Sequence, residues 1–449
     1  MSARSLALML VLLLGGCATY EPLPLDLHAR AADNPADIKV DPSVMRLFAH
    51  SQHRFDPGHG LDMTDVAILA VANNPQLKLA RDQRGIAHAQ AFAAGLLPDP
   101  VLDLAHGVPT AGPSETSTFD LGLSYAVEAL LVHPVVERAV NASEHEVDLN
   151  LLWEEWQVVG AARQLFVRDV YRAKMLAVLR EEAAVLAKQH AQLAHANGKG
   201  DISLTAVAAD LAGLQAVETR VHDAERQLLK TRQALDALLG LSPKAGLHLI
   251  GPTTMPTLSD VEVSRALAAL PRRRPDLLAL QAGYRSADAR YRQAILEQFP
   301  AIQVGFSKAR DADGIYTRGF QVTLTLPLFN RNRGSIAITN STRRKLHDEY
   351  SVRLAHAQAQ VEQILQDQKL LVQQRAQLQQ ASASTTTAVH RIREVTMPGD
   401  VSEAALALLR TNAFDRRLDL LTLDETALEQ QAALQTLLGG VSPAQTAAR

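Results

Sequence analysis

Along most of this chain apolar residues recur every three to four positions, but in two stretches they recur at every second one. Between Gly319 and Gly334, Phe320, Val322, Leu324 and Leu326 alternate with Gln321, Thr323 and Thr325. Period two predicts a strand with one apolar and one polar face. Pro327 cannot donate to a sheet ladder, so the strand is expected to stop there, with a turn over Asn330 to Gly334. Phe119, Leu121, Leu123 and Tyr125 alternate with Asp120, Gly122 and Ser124 in the same way. Each strand has a partner just upstream, Val101 to His106 in one case and Ile302, Val304 and Phe306 in the other. A Gly/Pro/Ser/Thr loop to Thr118 joins the first pair, and Lys308 to Arg318, with Asp311, Asp313 and Gly314, joins the second. Two β-hairpins follow, at about 99–127 and about 301–328.

The rest reads as helix. Patterning starts at Leu61, with Thr64 a plausible cap before Val66, Ile68 and Leu69, and breaks at Asn73-Asn74-Pro75 before resuming towards Leu97-Pro98. After the first hairpin, Leu149, Leu152, Trp156, Val159, Phe166, Val170, Ala173 and Ala177 keep 3-4 spacing, interrupted at Arg163. Leu204, Val207, Leu211, Leu214, Val221, Leu228, Leu235 and Leu239 continue it, with Glu218, Glu225 and Arg232 as exceptions. Leu354, Ala357, Val361, Ile364 and Leu371 do the same after the second hairpin. Spacing near 3.5 over many turns predicts coiled-coil packing. Sixty such residues reach roughly 90 Å, too long for one ordinary globule. The turns Asn197-Gly198-Lys199-Gly200-Asp201 and Met397-Pro398-Gly399-Asp400 are expected to fold each long helix back on its successor.

These features occur twice, at offsets of 199 to 202 residues. Asn74-Pro75-Gln76-Leu77 answers Arg274-Pro275-Asp276-Leu277, and Gly200-Asp201-Ile202-Ser203 answers Gly399-Asp400-Val401-Ser402. Ala234 to Gly240 answers Ala433 to Gly439. The chain is an internal duplication. Its divisions are a signal segment 1–16, a tail 17–60, a first repeat 61–250, a second repeat 261–440, and a C-terminal tail 441–449. The expected fold class is mainly α with a small β part, built from a duplicated helix–β-hairpin–long-helix unit.

Arg4 precedes an apolar run from Leu6 to Leu14, which then meets Leu14-Gly15-Gly16-Cys17. A basic start, a short apolar run and small residues predict a secretory signal, and the run is too short to span a bilayer. Cys17 is the only cysteine, so no intramolecular disulfide can form. A net charge of −3 and a pI near 6.6 argue against a nucleic-acid partner. Although 47% of residues are apolar, no later run reaches the length of a transmembrane helix. Membrane spanning would therefore need strands in a closed barrel. Segments 97–127 and 297–329 hold seven of the 19 aromatics, as the interfacial girdle of a barrel requires. A small soluble sandwich would also place aromatics in strands.

Leu14-Gly15-Gly16-Cys17 resembles the bacterial lipoprotein box, which implies a covalent lipid on Cys17 and, with Ala18 following, delivery to the outer membrane. An ordinary signal peptide with a chance cysteine is the alternative. Arg274-Pro275-Asp276-Leu277, the Ala287/Ala289/Arg290/Ala294 run into Phe299-Pro300, and Thr325-Leu326-Pro327-Leu328-Phe329 resemble the outer-membrane efflux family of TolC-like channels, from about Leu61 to Gly440. That resemblance implies a homotrimer with a shared 12-stranded transmembrane β-barrel and an α-barrel tunnel reaching into the periplasm. It also implies a periplasmic adaptor and an inner-membrane pump of the resistance-nodulation-division type as partners. The run from Pro327 to Gly334 is similar to the CzcC-like heavy-metal branch, although Pro followed by Asn and Arg is also simply a strand terminator. Four strands alone cannot close a barrel; three sets of four can.

The turns at Gly200, Asp201, Gly399, Asp400 and Glu403 are the candidate periplasmic tip, or gate. TolC-like channels commonly carry an acid about six positions past the tip glycine, where this chain has Ala206 and Ala405. Asp at a helix start can equally be only an N-cap. The exit of the second strand, Glu128 to Pro134, lacks the Pro-Leu pair of the other repeat and is left open. The 15 histidines are scattered and the seven methionines form no cluster, so no metal site and no cofactor beyond the Cys17 lipid is expected. No catalytic motif stands in suitable context, which argues against an enzyme. The expected function is a passive exit duct for heavy-metal cations or drugs. A duct for protein or peptide secretion and a lipid-anchored periplasmic coiled-coil scaffold are the rivals.

Overall fold

The structure, a computed structural model, describes residues 19–27, 31–42, 44, 55–111, 116–251, 253–395 and 403–438. Its first repeat runs α1 (Met63–Asn73), α2 (Pro75–Gly95), β1 (Val101–Gly107), β2 (Thr118–Ala126), α3 (Val127–Lys199) and α4 (Leu204–Leu238). The second runs α5 (Asp260–Arg273), α6 (Pro275–Leu296), β3 (Ala301–Arg310), β4 (Tyr316–Thr325), α7 (Arg333–Val395) and α8 (Glu403–Leu437). The duplication read from the sequence is thus an equivalence of elements, six against six. At 1.5 Å per residue, α3 is about 110 Å long and α7 about 95 Å.

Each repeat builds its core alike: a short helix packs into the groove between a long helix and the one that returns. Leu61, Val66, Leu69 and Ala70 meet Ala162 and Phe166 of α3, Leu235 of α4 and Leu239 at its C-terminal end. Val263, Ala266, Leu270 and Leu277 meet Ala357 and Val361 of α7 and Leu434 and Leu438. Leu235 and Leu434, like Leu239 and Leu438, stand 199 residues apart. Burial of the same apolar positions in each copy accounts for the near-constant offset in the sequence.

The junction before the long helices differs between the copies. Asn74 caps α2, its Oδ1 accepting from the N–H of Gln76 at 2.9 Å and of Leu77 at 3.0 Å, with Pro75 in the first turn. Arg274 holds the same place before α6 and does not cap. Instead its buried guanidinium donates to both oxygens of Asp276, at 2.8 and 3.1 Å, and lies over the Trp153 ring of α3. The Arg-Pro-Asp-Leu motif therefore joins the two repeats.

Several boundaries differ from expectation, for local reasons. Asp62 rather than Thr64 caps α1: its Oδ1 accepts from Thr64 and Asp65, while Asp65 accepts from the Asp62 N–H, a reciprocal box. The second hairpin has a tighter turn than Lys308 to Arg318. Cross-strand pairing carries β3 to Arg310 and starts β4 at Tyr316, and the Asp311 carboxylate accepts from Asp313 and Ile315 to close the turn. Val127 begins α3 directly after β2, with Pro134 inside the helix, so the first copy needs no connecting turn. In the second copy Arg331 and Asn332 take positive φ, and Asn332 donates to the Ala294 carbonyl, where the turn was expected. Part of the 17–60 segment lies against the bundle rather than trailing from it. Ala32 bridges Leu241, Leu61 bridges Leu249, and Ile38, Val40 and Phe55 cover the first core.

Candidate functional site

The four strands form one antiparallel sheet in the order β1-β2-β3-β4. Its register sorts the side chains completely. Leu102 faces Leu123, Leu123 faces Phe306, and Phe306 faces Phe320, so these four occupy one row across the sheet. Tyr125, Val304 and Val322 form the next row towards the helices, and Ile302 with Leu324 the one after. The opposite face carries Asp103, Asp120, Ser124, Gln303, Ser307, Gln321, Thr323 and Thr325. The positions assigned to a face by alternation alone lie on that face, except Leu326, which falls past the end of β4 at Thr325.

The apolar face is open to its surroundings: Phe320 is 71% exposed and Leu104 68%. A contiguous exposed apolar surface of this kind marks contact with a membrane or a partner. Strands β1 and β4 are edges, each with a row of unpaired backbone groups. Among the described residues no helix is long and apolar enough to cross a membrane.

From the sheet, α3 runs its full length to the turn at Gly200. Gly200 takes φ +85°, a left-handed conformation that favours glycine. The N–H of Gly200 donates to the Asn197 carbonyl and that of Asp201 to Ala196, closing the helix end. Asn197 Nδ2 then holds the Ile202 carbonyl at 2.6 Å. Ser203 caps α4, accepting from the Ala206 N–H, so Asp201 is not the cap and its side chain is exposed. Gly399, Asp400 and Cys17 lie outside the described residues; Glu403 begins α8, but its side chain is outside them too.

Between sheet and tip, charged residues that break the heptads tie the helices together. Arg163 donates to Gln435, Arg180 pairs with Glu225 at 2.7 Å, and Arg232 pairs with Asp169 at 3.0 Å. Burial pushes the Arg163 guanidinium pKa down and the Asp169 carboxyl up, with Arg232 pulling the latter back. A second set joins residues that were not legible as partners in the sequence: Arg168 with Glu429, Arg220 with Asp415, and Arg417 with Glu181. These pairs span 195 to 261 residues and hold α8 against α3 and α4. No sequence signal marks them beyond charge at the helix seams. Among the described residues no group of three or more His, Cys, Asp or Glu is placed to hold a metal ion.

No protein-family model matches the sequence, nor does any curated protein. Solved structures do match. The chain superimposes on CusC, solved in a study of folding and transmembrane channel formation, with TM-score 0.72 and 19% identity over 87% of this chain and 96% of that one. VceC, an outer membrane protein of Vibrio cholerae, gives 0.71 and 16%, covering 84% and 96%. The Campylobacter jejuni outer membrane channel CmeC gives 0.71 and 16%, covering 84% and 85%. The mostly helical architecture with its small antiparallel sheet is the TolC-like fold, and CusC and CmeC among these neighbours are channels.

Proposed function

We propose that this chain, built on the fold of TolC-like outer-membrane channels, forms a homotrimeric exit duct across the bacterial outer membrane. The carrying observation is a sheet with one face apolar over the rows nearest the helices, one polar face and two open edges. Backbone groups in lipid must be satisfied internally, so the edges have to be covered. β4 of one copy beside β1 of the next does this, and three copies close a 12-stranded barrel with lipid outside and water within. The long helices then continue the duct as an α-barrel into the periplasm. There the tip turns at Gly200 and Gly399 would meet an adaptor bound to an inner-membrane pump. A lipid on Cys17 would add a second membrane anchor.

Cation cargo is the narrower reading, supported by the similarity of Pro327 to Gly334 to the heavy-metal branch. It is supported as well by Asp103 and Asp120 on the polar face, where the strands carry no Lys or Arg. Planar-bilayer recordings of the purified protein provide the test. Discrete conductance steps from a cross-linkable trimer are expected. A folded protein that never conducts would instead match the periplasmic scaffold.

A further inference from the structure

The sheet does carry cations, and the duct has no use for them where they are. Lys308, Arg310 and Arg318 all lie on the apolar face, in the two rows farthest from the helices. Lys308 and Arg318 are direct cross-strand partners, a pairing in which like charges repel. No carboxylate shares this face of the strands, because Asp103 and Asp120 are on the other. Arg310 is pinned by three hydrogen bonds to Ser117, to its carbonyl at 3.1 and 2.7 Å and its hydroxyl at 2.8 Å. Lys308 Nζ and Arg310 Cζ each sit 5.9 Å from the centre of the Tyr316 ring.

Pore-lining cations would stand on the polar face. These stand on the lipid side, above the apolar rows. Leu324 to Arg318 spans six residues, about 20 Å of strand, or about 15 Å of height at the tilt of a membrane barrel, more than half of its roughly 25 Å apolar band. Beyond that band a lipid surface presents headgroups, and phosphate is the group that answers converging Lys and Arg.

We propose that Lys308, Arg318 and Arg310 form a seat for the phosphate of an outer-leaflet lipid. The anion would neutralise the Lys308–Arg318 repulsion, with Arg310 and Tyr316 fixing the upper edge of the seat. The proposal rests on the duct reading, which makes this face the lipid-facing one.

The test places the full-length trimer in phosphatidylcholine nanodiscs doped with diphosphorylated lipid A, and reads retained lipid A by native mass spectrometry. Lys308→Gln with Arg318→Gln is expected to lower retention roughly thirtyfold, from about 1 kcal/mol for each of the two cations removed. Lys308→Arg with Arg318→Lys keeps both charges and is expected to retain the lipid. Excess inorganic phosphate is expected not to displace it. Equal retention by wild type and the Gln pair overturns the proposal, and so does displacement by inorganic phosphate, which would mark a free-anion site. Failure of all variants to enter the bilayer overturns the duct reading as well. Insertion without lipid preference overturns this inference alone.

Discussion

Glu182 is 1% exposed where α3, α4 and α8 meet, and neither carboxylate oxygen has a hydrogen-bond partner. Arg220 Nη1 approaches only to 3.8 Å. Burial pushes the Glu182 pKa up; Arg220 pulls it down and Asp415 adds to the rise. With the folded pKa above the unfolded one, the native state binds the proton more tightly. The stability this gives is present below the ordinary glutamate range and is lost as pH rises through the raised value. Glu182→Gln imitates the protonated form. It is expected to raise stability by about 1 kcal/mol near neutrality and by little at about pH 4. Thermal unfolding at both pH values checks this; an equal shift at both would point away from the proton. At the other end of the chain, Cys17→Ser removes the only thiol and is expected to abolish labelling by a fatty-acid probe. Persisting label would remove the lipid anchor from the account.

At the scale of elements, strand faces carry the sharpest expectation. Leu324→Arg places a charge on the proposed lipid side, at a cost of about 2–4 kcal/mol near the bilayer midplane. Thr323→Arg puts the same charge on the polar face and is expected to be tolerated better. The yield of trimer in outer-membrane fractions separates them, and the reverse order would mean a register slip of one residue. The faces were legible in the sequence because side-chain direction in a strand follows from parity alone. Strand ends were not: Lys308, Arg310 and Tyr316 read as loop until their pairing was seen. Helix caps were legible as residue types but were misplaced by two residues at Asp62 and Ser203, where the competing Thr64 and Asp201 have the same chemistry. The breaks in the heptads were visible, but their partners, such as Asp169 for Arg232, depend on how the helices are aligned.

Over the whole molecule, the repeat decides most of the geometry. If α3 spans from the membrane to Gly200, three protomers bring six tips around one opening, with Asp201, Asp400 and Glu403 as the nearest acids. Converging carboxylates in a narrow mouth attract cations. Replacing all three by Ala is expected to lower cation preference in bilayer recordings. Asp201 contributes nothing as a cap to α4, since Ser203 does that. Unchanged selectivity in a stable trimer would remove these residues from the pore. The first tip, at Gly200, was legible as a turn, whereas its opening depends on copies of the chain that one sequence does not describe.

The two open edges of the sheet also have a genetic consequence. A ring of three is only as good as its worst seam. When wild-type chains and chains with a blocked β1 edge are made in equal amounts and mix freely, only about one trimer in eight is free of the defective copy. A proline in the middle of β1, such as Leu104→Pro, is therefore expected to act dominantly, depressing conductance far below half when co-expressed with the normal chain. Recovery of half the normal activity would mean that each chain works alone.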